Sequence, residues 1–294
     1  MSAEFFLPLC GDGFILSAMQ PTYTTINWAY QLHYYLSFRT HRRRAHFADP
    51  VCAEKLAEIV AEICQRHDYH LLESKTHADH FRCLLSLRPE HDLSTVIGKI
   101  KANSARECGL QIGIAAPLWA RGYLARSVGR VSISAVKQYI EHQAEHHGYS
   151  KRHRPPVYRY RAEHPSELSA AHSIFDLNHH LVVSTRYRAS VFDSMLGQEL
   201  SEYWLRVAAK HGFAIDRITV VPDHAHLLVR TAPKLSVETC VLALMNNGEY
   251  FIRQNYPLAL TNERIDQLWQ PSAYVGACGE VSTALVKAWL SAPL

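Results

Sequence analysis

No pair of cysteines in this chain has the Cys-x-x-Cys spacing, although seven cysteines are scattered along it. That absence argues against a zinc ribbon and for reduced thiols. No apolar run approaches the ~18 residues that a membrane-spanning helix needs, so no membrane association is expected. Residues 1–25 lack a basic stretch followed by a long apolar segment, so no signal peptide is expected either, and a cytoplasmic location follows. The charge excess is small, +4. The cations are clustered, however: Arg42, Arg43 and Arg44 are consecutive, residues 121–130 are Arg-rich, and Lys151, Arg152 and Arg154 lie close to Tyr158 and Tyr160. Clustered Arg and Lys beside aromatic rings suit a phosphate backbone with stacked bases; the ordinary alternative is a solvated face and linker.

What the chain does have is a repeat. Asp79-His80-Phe81-Arg82-Cys83-Leu84-Leu85 recurs 144 residues later as Asp223-His224-Ala225-His226-Leu227-Leu228-Val229. The same offset pairs Asp49 with Asp193, Leu56 with Leu200 and His67 with His211, and one residue of slippage pairs Tyr35-Leu36 with His180-Leu181. Further on, Leu118-Trp119, Gly129 and Val136-Lys137 return as Leu268-Trp269, Gly279 and Val286-Lys287. A period of this length marks a duplicated domain rather than a solenoid, and each copy, at about 120 residues, can bury its own core.

Each copy reads as strand, basic turn, amphipathic helix, two strands, helix, strand, Gly turn and a closing helix. The first strands cover residues 30–40 and 174–185, the second helices start near Ser94 and Ser236 as N-caps, and the closing helices start near Ser132 and Ser282. The order implies an α+β fold: two tandem ferredoxin-like (RRM-like) units, each an antiparallel sheet with helices on one face. The expected organisation is an N-terminal arm at 1–25, a first unit at 26–150, a basic, Pro-containing linker at 151–170 and a second unit at 171–294.

His224 and His226 flank one small residue in a run of strand formers. Side chains at i and i+2 leave the same face of a strand, so both imidazoles can point at one divalent ion while Ala225, Leu227 and Val229 face the core. Two half-buried strand histidines are the plainer alternative. A second pattern lies on the closing helix of the first copy, where Tyr139 and Gln143 are i and i+4 and share a helical face.

Pro222-Asp223-His224-Ala225-His226-Leu227-Leu228-Val229, together with the Trp119-to-Gly129 block and the Tyr139 helix, resembles the single-tyrosine HUH transposases of small bacterial insertion sequences and their repeat-associated relatives. The resemblance runs over nearly the whole chain after Thr25, once per copy. It implies cleavage and rejoining of single-stranded DNA, with Tyr139 attacking a phosphodiester to give a 5′-phosphotyrosine. It also implies Mg²⁺ or Mn²⁺ held by His224, His226 and Gln143. A phenol of pKa ~10 is a weak nucleophile at neutral pH, and a divalent ion that polarises the phosphate compensates.

Both copies depart from that pattern. The first has Arg82 where the second ligand histidine belongs, beside His80, and a guanidinium cannot ligate a metal. The second has Trp289 in place of the tyrosine and Pro293 in place of the glutamine. Family members act as homodimers in which one subunit's tyrosine helix can dock on the other's histidines. The chain therefore resembles such a dimer fused into one polypeptide, a monomeric pseudo-dimer. It would keep one composite site (Tyr139, Gln143, His224, His226) and have one degenerate site (His80, Arg82, Trp289). Expected partners are single-stranded or hairpin DNA. The alternatives are a catalytically silent hairpin-binding regulator derived from such an enzyme, and an unrelated metal-dependent phosphodiesterase.

Overall fold

A computed structural model describes residues 22–141, 156–164 and 166–291. The chain is mixed α+β, with two sheets. The first half supplies β1 (Asn27–Gln31), β2 (His33–Arg39), α1 (Pro50–Arg66), β3 (His70–His77), β4 (His80–Ser86), α2 (Leu93–Ile112), β5 (Leu124–Val128) and α3 (Ile133–Glu141). The second half supplies β6 (Tyr158–Arg161), β7 (Ile174–Asp176), β8 (Asn178–Thr185), α4 (Ser194–His211), β9 (Ala214–Val221), β10 (His224–Arg230), α5 (Val237–Asn255), a short α6 (Pro257–Asn262), β11 (Trp269–Cys278) and α7 (Thr283–Ser291).

Binary patterning explains the layers. β2 alternates strictly, with Tyr34, Leu36 and Phe38 buried and His33, Tyr35 and Ser37 only half so. The apolar stripe Leu56, Ile59, Val60 and Ile63 of α1 is buried, and so is Leu200, Trp204, Val207 and Ala208 of α4. One continuous apolar cluster takes in residues of both halves. Ser236 caps α5 as the sequence suggests, accepting from Thr239 N at 3.2 Å. Ser94 does not cap α2: Asp92 does, accepting from Thr95 N at 2.8 Å, because a carboxylate two residues upstream reaches the first-turn amides. Ser94 lies inside the helix, and its hydroxyl meets the Tyr123 hydroxyl at 3.1 Å. Within the segment expected to be a linker, β6 forms an edge strand against β9. No helix among the described residues is long and apolar enough to cross a membrane, and the six described cysteines form no disulfide.

The two sheets run β3-β4-β2-β5-β7 and β1-β11-β8-β10-β9-β6. The halves exchange strands. The expected single first strand of each half breaks at a buried leucine, Leu32 or Leu177, whose carbonyl accepts from Leu87 N at 2.9 Å or Thr231 N at 3.1 Å. Before the break, β1 pairs in parallel with β11 of the second half, and β7 pairs in parallel with β5 of the first. At the crossing, Ser127 Oγ donates to the Cys278 carbonyl at 2.6 Å and accepts from Asn178 N at 2.8 Å. The Tyr34 hydroxyl and His179 Nε2 are 2.9 Å apart.

Gly129 and Gly279 sit at this crossing and are explained by it. A Cβ on Gly129 would come 2.2 Å from the Ala277 carbonyl oxygen, and one on Gly279 would come 2.2 Å from that of Ser127. They are needed for close backbone approach rather than for a turn. Further upstream, Tyr23 plugs into the second half. Its hydroxyl donates to Glu249 Oε2 at 2.8 Å and accepts from Trp269 N at 2.9 Å.

Candidate active site

The central strands of the second sheet carry the histidines. β10 lies between β8 and β9, and His226 is registered with Val182 on one side and Thr219 on the other. Ala225, Leu227 and Val229 are buried on the core side, so His224 and His226 emerge together on the opposite face. Their ring centroids are 4.9 Å apart.

Each ring is oriented through Nδ1. Asp223 Oδ1 lies 2.6 Å from His224 Nδ1, and Asp223 Oδ2 pairs with Arg188 Nε at 2.9 Å. Burial pushes the Asp223 carboxyl up, but the His224 hydrogen bond and the charges of His224 and Arg188 outweigh it, holding the group below the usual carboxylate range. His226 Nδ1 meets His180 Nε2 at 3.0 Å, with the two rings stacked at 5.3 Å. Burial pushes His180 down to about 4, so it is a neutral imidazole at physiological pH. Sequence reasoning aligned His180 with Tyr35 but gave it no role. The missed signal is its place on the half-buried face of β8, one strand from His226.

The turn before His224 is pinned by Thr185, whose amide and hydroxyl both donate to the Asp223 carbonyl, at 3.0 and 2.9 Å. Next comes the basic turn, where Tyr187 and Arg188 adopt φ of 54° and 58°. Non-glycine residues resist that region, so the turn is held by its surroundings. Thr185 Oγ1 also donates to the Ala189 carbonyl at 2.7 Å. The first half repeats the device with Arg42 and Arg43, at φ of 55° and 54°, and with Thr40 Oγ1 donating to the Arg44 carbonyl at 2.8 Å. Arg42, Arg43 and Arg44 are exposed, and Arg43 approaches Asp79 at 3.7 Å.

Helix α3 belongs by sequence to the first half and packs on the sheet of the second. Ile133, Val136 and Ile140 form an i, i+3, i+7 stripe that is buried with Leu228 and Cys278. Thr219 Oγ1 donates to the Ile140 carbonyl at 2.7 Å, and Arg217 Nε pairs with Glu141 Oε1 at 2.9 Å. The docked helix brings the half-buried Tyr139 ring edge-on to His226, at 5.6 Å, and to His180, at 5.8 Å. α7 makes the reciprocal contact, with Val286 and Leu290 buried against Leu84 and Val128 of the first sheet.

On that first sheet His80 Nδ1 lies 2.7 Å from Asp79 Oδ1, as His224 does from Asp223. Arg82 pairs with Ser37 and Lys75, which is the register His226 has with Val182 and Thr219. Trp289 lies on α7, but its side chain is outside the described residues, as are Gln143, Lys151, Arg152 and Arg154.

No group of three His, Cys, Asp or Glu among the described residues could hold a metal ion. Two imidazoles do fit as a partial set. With both Nδ1 atoms engaged by Asp223 and His180, Nε2 is the atom of each ring that an ion would use, and such outer hydrogen bonds are how ligating histidines are usually fixed.

The IS200-like transposase family matches the chain twice, over residues 28–143 and 173–292. The chain belongs to that family. Individual relatives match about one half of it at a time. The ISDra2 transposase TnpA of Deinococcus radiodurans is 25% identical over 117 residues, 40% of this chain and 84% of the relative. The transposase for insertion sequence element IS200 of Salmonella typhimurium is 28% identical over 111 residues, 36% of this chain and 71% of the relative. Among solved structures, a protein from Deinococcus radiodurans assigned as a transposase is 26% identical, with a TM-score of 0.32, covering 39% of this chain and 92% of its own. A REP-associated tyrosine transposase bound to a REP hairpin is 14% identical, with a TM-score of 0.28, covering 43% of this chain and 68% of its own.

Proposed function

We propose that this transposase-family chain nicks and rejoins single-stranded or hairpin DNA through a 5′-phosphotyrosine, at one composite site shared by its two halves. The observation that carries the reading is the contact between Tyr139, inside the first family match, and His226, inside the second, at 5.6 Å between ring centroids. The strand orders β5-β2-β4-β3 and β11-β8-β10-β9 have the same connectivity, which supports two ferredoxin-like units. The reciprocal exchange of β1 with β7 and of α3 with α7 supports a pseudo-dimer within one monomeric chain. The units are those expected from the sequence, 26–150 and 171–294, with β6 of the intervening segment joined to the second sheet.

Tyr139 Oη attacks the phosphorus of a bound phosphodiester. The bond from Oη to phosphorus forms, the phenolic proton leaves, the bond from phosphorus to the 3′ oxygen breaks, and that oxygen takes up a proton as the free 3′-hydroxyl. Rejoining is the reverse step with a 3′-hydroxyl as nucleophile. His224, His226 and Gln143 would hold Mg²⁺ or Mn²⁺, which would polarise the phosphate and offset charge in the transition state. Asp223 and Arg188 keep His224 aimed, and His180 keeps His226 aimed. Thr219, Arg217 and the Leu228 surface hold the nucleophile's helix against them. Arg42 to Arg44, with Lys151, Arg152 and Arg154, contact phosphates.

The test is an SDS-resistant adduct between the protein and single-stranded DNA flanking its own gene, formed with Mg²⁺ or Mn²⁺ and absent from Tyr139→Phe. A second reading, DNA binding without cleavage, draws on Arg82 in the ligand position of the first sheet. Hairpin binding with no adduct under any metal would favour it.

A further inference from the structure

The face of the first sheet that corresponds to the catalytic face of the second has changed its charge as well as losing a ligand. Strand register aligns the two faces residue by residue. Arg39 stands where the second sheet has Ser184, Lys75 where it has Thr219, Arg82 where it has His226, and Arg126 where it has Gly276. Two cations go the other way: Arg217 and Arg230 of the second sheet are matched by Glu73 and Ser86. Those two are already paired, with Glu141 at 2.9 Å and Asp216 at 3.0 Å. Among the described residues, Arg39, Arg82 and Arg126 form no ion pair.

The polar atoms at the centre of this face also lack partners. Arg82 Nε, His80 Nε2 and His77 Nε2 are buried and have no hydrogen-bond partner. The His77 and His80 rings are stacked 4.2 Å apart and within 9° of parallel, on the row of the sheet next to Arg82. The unpartnered Arg82 Nε–H, a buried donor left unmade, costs about 1–3 kcal/mol, so a solvated-face explanation does not account for it. An anion does. A guanidinium fork matches two phosphate oxygens. A site that suits a cation through two imidazoles becomes, with arginine in place of one, a site for the opposite charge. α7 packs on this sheet through Val286 and Leu290, which seat on Leu84 and Val128.

We propose that this face is a non-cleaving phosphate clamp, in which Arg82 and Arg126 grip the backbone of a second stretch of single-stranded DNA while the other sheet cuts. That the phosphates belong to DNA rests on the function proposed above. The charge and the unpartnered Arg82 Nε–H do not.

The test measures the affinity of the full chain for a mixed-sequence single-stranded oligonucleotide as a function of salt, with adduct formation followed in the same samples. Arg82→Gln with Arg126→Gln should weaken binding about tenfold or more and lower the log–log salt slope by roughly 1.4, about 0.7 per lost phosphate contact. The adduct at saturating DNA should persist. Arg82→Lys with Arg126→Lys should keep the slope, and Lys55→Gln on α1 should leave it unchanged. Arg126 is exposed, so Arg126→Gln alone, with a drop of about 0.7, carries the test if the double variant unfolds. An unchanged slope in the glutamine variants, an equal drop in Lys55→Gln, or an adduct lost from them at saturating DNA would each overturn the clamp. Failure of the wild type to form any adduct would count against the nicking reading alone, because the salt slope judges the clamp without it.

Discussion

His180 Nε2 and His226 Nδ1 lie 3.0 Å apart across neighbouring strands, at hydrogen-bonding distance between a half-buried and a buried imidazole. For His226 to offer Nε2 to a metal, its Nδ1 must carry the proton and His180 must accept it. His180→Ala should therefore weaken Mn²⁺ binding about 10–100-fold, as loss of an outer-shell partner does, with the fold intact. His180→Gln, whose amide oxygen can accept the same proton, should recover part of the loss. Titration calorimetry with Mn²⁺ checks both, and unchanged affinity in His180→Ala would remove the residue from the site.

Acid should destabilise the chain well above the carboxylate range. Burial pushes His180 down to about 4 and His179 down to about 3, against an ordinary value of 6.5. Below pH 6.5 the unfolded chain binds protons that the folded chain refuses. The stability is therefore fully present above pH 6.5 and is lost as pH falls toward 4, by about 1.4 kcal/mol per pH unit for each such group. Melting curves between pH 7 and pH 5 check this, and His179→Gln should flatten them.

Docking of the nucleophile's helix should depend on Thr219. Its hydroxyl donates to the Ile140 carbonyl at 2.7 Å. Thr219→Val keeps the shape and removes the donor, at about 0.5–1.5 kcal/mol for the lost hydrogen bond. Amide exchange across α3 should speed up and adduct formation should slow, while metal affinity holds. Unchanged exchange in α3 would mean that the apolar stripe alone holds the helix.

Gly129→Ala and Gly279→Ala should each be strongly destabilising, by about 4 kcal/mol or more, because backbone rather than a flexible side chain meets the new methyl. Chemical denaturation of the two variants checks the paired effect. A mild loss at either would show that the crossing can open.

Much of this was legible in the sequence. The duplication gave the element order, and the period-2 pattern at Ala225, Leu227 and Val229 put His224 and His226 on one face. The complementary losses at Arg82 and Trp289 suggested that Tyr139 reaches across. Other features left no such trace. The pairing of β1 with β11 and of β7 with β5 is made by backbone groups, which every residue carries, so no side-chain pattern announces it. Asp92 rather than Ser94 caps α2 because both are good caps and only the backbone path chooses between them. The partnership of His180 with His226 is set by strand register, which the sequence left uncertain by the one residue that decides which face a side chain takes.

Strand exchange makes the halves mutually dependent. Residues 1–165 and 166–294, made as separate chains, should aggregate or stay partly unfolded, the first lacking β7 and α7 on its sheet and the second lacking β1, β6 and α3. Co-expressed, they should assemble one to one. Sedimentation of the separate and mixed halves checks this, and two well-folded, non-interacting halves would contradict the exchange.

The most direct measurement is covalent capture. The full chain, its Tyr139→Phe, His226→Ala and Arg82→Ala variants, and the isolated first half are incubated with saturating single-stranded DNA flanking the gene and Mn²⁺, then resolved under denaturing conditions. The account predicts an adduct with the wild type and with Arg82→Ala, and none with Tyr139→Phe, His226→Ala or the isolated half. An adduct formed by the first half alone, or retained in His226→Ala, would contradict a site built from both halves.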